Sequence, residues 1–235
     1  KEQLDAAGWA FKRYAAYDGR GKNIRDFTNY DDRQAKKILG RSLLNSELGC
    51  YLSHYGCVEK FLQTDADYLV VLEDDLRIDN NFSSTLQEIL HYLHSQKNIE
   101  WSLINIAAKK NKISREIFRT HDYSLVRAYY FPIRGVGLVW SRQGAHDFLK
   151  MAQNPCLPVD IFFQNWLIKN GKGLSIWPPL VRPAGLDSDI LGTVATERVR
   201  RKQKENRDFS FFMKKQLRLL KNNILAYINF LSFKS

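Results

Sequence analysis

Three consecutive carboxylates, Glu73, Asp74 and Asp75, end the apolar run of YLVVLEDDLRID, residues 68–79. Acids at the end of an otherwise buried strand suit three roles. They can supply hard oxygen ligands for Mg²⁺ or Mn²⁺ bridging a diphosphate, form the acidic pocket of a phospho-receiver, or simply reach water, with Asp75 or Asp79 capping the next element. Side chains alternate along a strand, so Glu73 and Asp75 are expected on one side, able to share a cation, and Asp74 on the other. The ends of central strands in open α/β sheets are also where loops diverge and leave a ligand crevice. A receiver would need a later strand ending in the phosphorylated aspartate and another ending in a lysine before proline. Here WSLINIA runs into Ala107 and Ala108, and the sequence has no Lys-Pro. The acids also come too late in the chain for a first strand, so the receiver is the weakest of the three.

The elements that must position these acids are set by periodicity. NSELGCYLSHYGCVEKFLQ places Leu48, Tyr51, Leu52, Tyr55 and Val58 at helical spacing behind Asn45 and Ser46, both N-cap residues. Tyr68–Leu72 reads as a buried central strand, and FSSTLQEILHYLHSQ as a helix beginning near Ser83. Strands are expected over 101–107, 123–131 and 135–141, with a charged, flexible connection at 109–116. RQGAHDFLKMA and VDIFFQNWLIKN read as helices, the second closed by Gly171, and GLSIWPPLV as a strand ended by its proline pair. Such alternation of strands and helices predicts an α/β class with a mainly parallel sheet.

A chain of 235 residues with 44% hydrophobic residues can bury a sizeable core. No stretch approaches the roughly 18 to 20 continuous apolar residues of a membrane-spanning helix. Three cysteines form no even framework and no C-x-x-C pair, and KEQLDAAGWAFKRY lacks signal-peptide features, so a reducing, cytoplasmic setting is expected. Cys50, His54 and Cys57 can share one helix face, which raises a zinc reading, but a fourth ligand is lacking and buried cysteines are ordinary core residues. The formal charge of +11 is concentrated: from Arg198 to Lys221 there are ten Lys or Arg against Glu205 and Asp208, about +8 in all. That placement argues against a nucleic-acid reader, which needs its cations on the face of the folded module.

Four stretches in order, ELGCYLSHYGCVEKF, YLVVLEDDL, GVGLVWSRQGAHDFL and LPVDIFF, resemble glycosyltransferase family 25, the lipopolysaccharide and lipooligosaccharide sugar transferases whose relatives include collagen galactosyltransferases. YAAYDGRG and PPLVRPAGLDSDI resemble the flanking segments, so the likeness runs from about residue 10 to about residue 191. The family's usual opening, a short strand and an Asn-Leu followed by arginines, would lie just upstream of residue 1, and Arg182 stands where a glutamine is expected. The resemblance implies a GT-A-like fold over 1–197 and inverting transfer from a nucleotide sugar, most often UDP-galactose, to a lipooligosaccharide or lipopolysaccharide core. It implies Mn²⁺ or Mg²⁺ at Glu73 and Asp75, Asp160 as the base, and donor contacts from Ser53, His54, Glu73, Asp74 and Gly135, with Asp187 and Asp189 completing the metal or acceptor site. The bland readings stand beside these: Asp160 as a helix N-cap, His54 as a core histidine, Gly135 as a strand irregularity, and one or both late aspartates in a solvated loop. A non-catalytic sugar- or nucleotide-binding module with the same fold is the alternative.

Residues 198–235 read as a separate basic tail. Met213, Leu217, Leu220, Ile224, Ile228 and Leu231 form one helical stripe, with Lys214, Lys215, Arg218 and Lys221 beside and opposite it. That pattern suits an anionic membrane surface, at about 1 kcal/mol per cation near the head groups; together with the resemblance it implies a peripheral protein on the inner face of a bacterial inner membrane. The same helix could instead pack on its own domain, or on a second subunit to make a homodimer.

Overall fold

The computed structural model describes residues 2–6, 8–19, 21–24, 27, 29–184 and 209–232. Six strands form the main sheet in the order β1-β6-β3-β7-β5-β4: β1 is Tyr68–Leu72, β3 Leu103–Asn105, β4 Ser114–Thr120, β5 Tyr123–Ala128, β6 Gly137–Ser141 and β7 Gly173–Trp177. A separate two-stranded ribbon pairs β2, Leu76–Ile78, with β8, Val181–Pro183. The helices are α1 (Glu2–Ala6), α2 (Asp32–Leu39), α3 (Asn45–Leu62), α4 (Phe82–Ser95), α5 (Arg142–Met151), α6 (Val159–Asn170) and α7 (Phe209–Ser232).

The mixed α/β class agrees with the sequence, but the mainly parallel sheet does not. Among the described residues only β3 and β7 pair in parallel; β1–β6, β3–β6, β5–β7 and β4–β5 are antiparallel. The reversal begins at the β4–β5 hairpin, where Thr120 and Tyr123 close a two-residue turn with His121 at φ 46°. After this hairpin β6 returns between β1 and β3 and runs against both. The hairpin consumes part of the stretch read as a flexible connection, since β4 starts at Ser114. The expected strand through GLSIWPPLV is divided between β7 and the start of β8, and WSLINIA keeps strand geometry only over Leu103–Asn105.

Alternation along the central strands loads both faces of the sheet. Ile104 and Val139 join Phe82, Leu86, Ile89 and Leu93 of α4 in one core cluster. Leu103, Leu138 and Trp140 join Tyr51 and Val58 of α3, Phe148 of α5 and Phe163 of α6 in another. The sheet is therefore a middle layer with α4 on one side and α3, α5 and α6 on the other. α6 ends as expected at Gly171, whose φ of 68° closes the helix with its N–H on the Leu167 carbonyl.

α7 packs on α6: Asn222 donates to the Asn165 side chain, Asn229 donates to the Ile168 carbonyl, and Ala226 is fully buried with Tyr129, Tyr130 and Ile168. The stripe read from the sequence faces the other way. Met213, Leu217, Leu220, Ile224, Ile228 and Leu231 are all exposed, from 44% to 63%. No described helix is long and apolar enough to cross a membrane.

Candidate active site

The acidic stretch lies where β1 leaves the sheet. β1 ends at Leu72, and residues 74 and 75 form a bend before β2. Strand alternation therefore stops short of the carboxylates, and the expectation that it sets Glu73 and Asp75 on one side does not apply. The bend is held by backbone bonds on both flanks: Glu73 N–H donates to the Val136 carbonyl, and Asp75 accepts from the Ala184 N–H. Asp74 is exposed, while Glu73 and Asp75 are half-buried. Asp79, one of the proposed caps, accepts from the Asn81 N–H and from the Tyr123 hydroxyl, so it anchors the turn into α4.

Helix α3 brings His54 to Glu73, with Nε2 3.9 Å from the carboxylate. The imidazole is buried and stands edge-on to Phe163 of α6. Its Nδ1 is buried without a hydrogen-bond partner. Burial alone would depress this imidazole, but the neighbouring Cys50 and Glu73 outweigh it and raise its pKa to about 9. Gly135 closes the group from the loop before β6: a Cβ there would sit 3.5 Å from His54 Nε2 and 3.8 Å from Glu73 Oε1. The glycine thus leaves room beside the pair without being sterically required. Asn105 at the end of β3 pins this loop by donating to the Arg134 and Pro132 carbonyls, and Arg134 adopts φ 142°.

Among the described residues, Cys50, His54 and Glu73 can each place one ligand atom within 4.8 Å of the others. A buried imidazole with Nε2 beside a carboxylate and Nδ1 unpartnered among the described residues fits a divalent cation, provided the imidazole gives up its proton. Carboxylate and imidazole suit Mn²⁺ as well as zinc, whereas the Cys50 thiol favours the softer ion. Cys57 stands outside this group, within electrostatic reach of Tyr14 instead, so the all-helix cysteine–histidine set does not form.

Asp160 lies in the first turn of α6 and accepts from the Ile161 N–H at 2.8 Å. The N-cap itself is Pro158, so Asp160 shares the work of satisfying the helix start without being its cap. Burial, with Glu47 and Glu73 as like charges, holds its carboxyl above the usual aspartate range, against the opposing hydrogen bond from Ile161. That is the environment of a carboxylate able to take a proton. Arg41 forks onto Glu47 with two 2.7 Å bonds. On α7, Arg218 is depressed by burial and lies within electrostatic reach of Tyr130, Arg41 and Asp160.

Ser53 has a bridging role. Its hydroxyl donates to the Gly49 carbonyl and accepts from the Tyr17 N–H, both at 2.8 Å, tying the extended segment before residue 20 to α3. Gly49 is needed for the same approach, since a Cβ there would stand 2.7 Å from the Tyr17 carbonyl oxygen. Asp187 and Asp189 lie outside the described residues. Cys50 entered the sequence reading only in the zinc set with His54 and Cys57; Asn105, Glu47 and Arg218 did not enter it as site residues. Their one visible signal was polarity inside apolar or helical stretches, which does not say where a side chain is brought.

A mixed sheet sandwiched by helices, with acids, a buried histidine and a raised aspartate gathered at its strand ends, is consistent with a glycosyltransferase domain. Residues 1–163 match the profile of glycosyltransferase family 25 (LPS biosynthesis protein), and the chain belongs to that family. It is 36% identical over 165 residues to procollagen galactosyltransferase 1 of Danio rerio, covering 65% of this chain and 26% of the relative. Procollagen galactosyltransferase 2 of Homo sapiens is 31% identical over 144 residues, 60% of this chain and 22% of the relative. A probable inactive glycosyltransferase 25 family member 3 of Bos taurus is 33% identical over 126 residues, 52% of this chain and 20% of its own length. The chain thus spans about a quarter or less of these relatives.

Proposed function

We propose that this protein is an inverting glycosyltransferase with a GT-A-like domain, moving a hexose, galactose first, from UDP-galactose to a lipooligosaccharide or lipopolysaccharide core. The observation that carries the reading is Glu73, just past the end of β1, beside the buried His54 of α3, with Asp160 of α6 within electrostatic reach of Glu73. Glu73, with His54 beside it, and Asp75 would hold Mn²⁺ or Mg²⁺. When bound, such an ion offsets charge developing on the departing diphosphate. Asp160 accepts the proton of the acceptor hydroxyl as that oxygen attacks the anomeric carbon, and its raised pKa favours the transfer. Gly135 leaves space for the donor beside His54 and Glu73. A lipid-linked acceptor places the protein at the cytoplasmic face of the inner membrane.

The test is calorimetry with UDP-galactose and Mn²⁺, followed by donor-hydrolysis and transfer assays. Binding and turnover are expected, with Asp75→Asn lowering turnover by at least ~10²-fold while circular dichroism shows the fold retained. Unchanged turnover in that variant removes the metal assignment. The relatives described as inactive favour one second reading, a sugar- or nucleotide-binding module. Binding with no turnover of any nucleotide sugar would select it.

A further inference from the structure

α7 carries two faces with different partners. Asn222, Ala226 and Asn229 dock on the domain, whereas Met213, Leu217, Leu220, Ile224, Ile228 and Leu231 run along the opposite side, each 44% or more exposed. Scattered exposed apolar residues need no explanation, but a continuous stripe along a six-turn helix does. Its C-terminal half borders an open apolar cleft of about 340 Å³ lined by Ile113, Ile224, Tyr227 and Ile228.

Charge decides what covers this face. Lys214 and Lys221 stand beside the stripe and are exposed. Residues 209–232 contain no Asp or Glu. A second copy laid on this face would bring the same cations and no counter-charge from the helix, whereas an anionic bilayer supplies both an apolar layer and negative head groups. We propose that the exposed face of α7 is a docking surface for phosphatidylglycerol-containing membrane, with the stripe entering the acyl boundary and the lysines at the head groups. The docking surface itself does not depend on the transferase reading.

The experiment is flotation of the full chain with phosphatidylcholine vesicles, with and without phosphatidylglycerol, at low and high salt. Donor turnover in solution and molar mass by light scattering are measured on the same samples. Binding is expected only with phosphatidylglycerol and weaker in high salt. Ile224→Glu with Ile228→Glu should reduce it more than about tenfold. Replacing Lys214 and Lys221 together by Gln should reduce it on the order of thirtyfold. Absence of wild-type binding, or undiminished binding in either variant, overturns the proposal. So does a dimer that the Ile224→Glu, Ile228→Glu variant dissociates, which assigns the face to a second copy. Membrane binding without turnover of any donor would sink the transferase reading and leave the docking surface standing.

Discussion

Asp160 combines a chemical role with a cost to stability. A carboxyl raised in the folded state binds its proton more tightly folded than unfolded. Its favourable contribution is complete below the unfolded value of 3.8 and is lost as pH rises through the raised folded value, so the ionised group weakens the fold at neutral pH. Asp160→Asn should therefore melt at a higher temperature than the wild type at pH 7, and the two should converge below pH 3.8. Transfer should fall by about 10²–10⁴-fold if Asp160 is the base. Calorimetric melting across pH, beside a transfer assay, checks both halves; a variant less stable at pH 7 would show that the helix-start hydrogen bond outweighs the burial. The acids were legible because three carboxylates ending an apolar run are unusual, whereas His54, Gly135 and Asp160 were singled out through the family resemblance, since a histidine on a core-facing helix and an aspartate at a helix start are ordinary. Ser53 was legible as a position, while its observed contacts fasten Tyr17 to α3. Cys50 against Glu73 was not legible, since joining a helix to a strand end depends on how the two pack.

At the scale of elements, the α5 start shows why a stretch looks the way it does. Ser141 caps the helix by accepting from the Gly144 N–H, and its hydroxyl also donates to the Trp101 carbonyl. Gly144 packs so tightly that an added Cβ would come 2.5 Å from Ser102 Cα. Gly144→Ala must push backbone against backbone, at about 1–3 kcal/mol, or ~2–4 °C in Tm for each kcal/mol. Gln143→Ala, on the exposed side of the same turn, should change Tm little. Equal melting of Gly144→Ala and wild type by scanning fluorimetry would contradict this packing. Helices α3 to α6 and strand β1 were readable because their periodicity is local. The insertion of β6 between β1 and β3 was not, because strand order is settled by contacts between residues distant in sequence. Helix α2 was also missed: DRQAKKIL buries only Ala35 and Leu39, too short an apolar pattern to stand out.

For the molecule as a whole, α7 must be judged as both part of the fold and part of its surroundings. Its inner face closes a core cluster of Tyr129, Tyr130, Ile168 and Ala226, with Phe230 edge-on to Tyr129 at 5.6 Å and Arg115 over the Phe230 ring. Removing the helix exposes those tyrosines and leaves the Ile168 carbonyl without its bond from Asn229. Deletion of residues 209–235 should therefore lower Tm by several degrees, at ~2–4 °C per kcal/mol for a chain of this size, besides abolishing vesicle binding. Loss of binding in the truncated chain would then say nothing about which face was responsible. The paired Ile224→Glu, Ile228→Glu substitution touches only the outer, solvent-exposed side, where changes cost about 0.5 kcal/mol or less. With two such changes it should melt within ~4 °C of the wild type while binding vesicles poorly. Scanning fluorimetry on the three proteins separates the two functions of the helix: a truncated chain as stable as the full one would mean that the inner face contributes nothing to the fold.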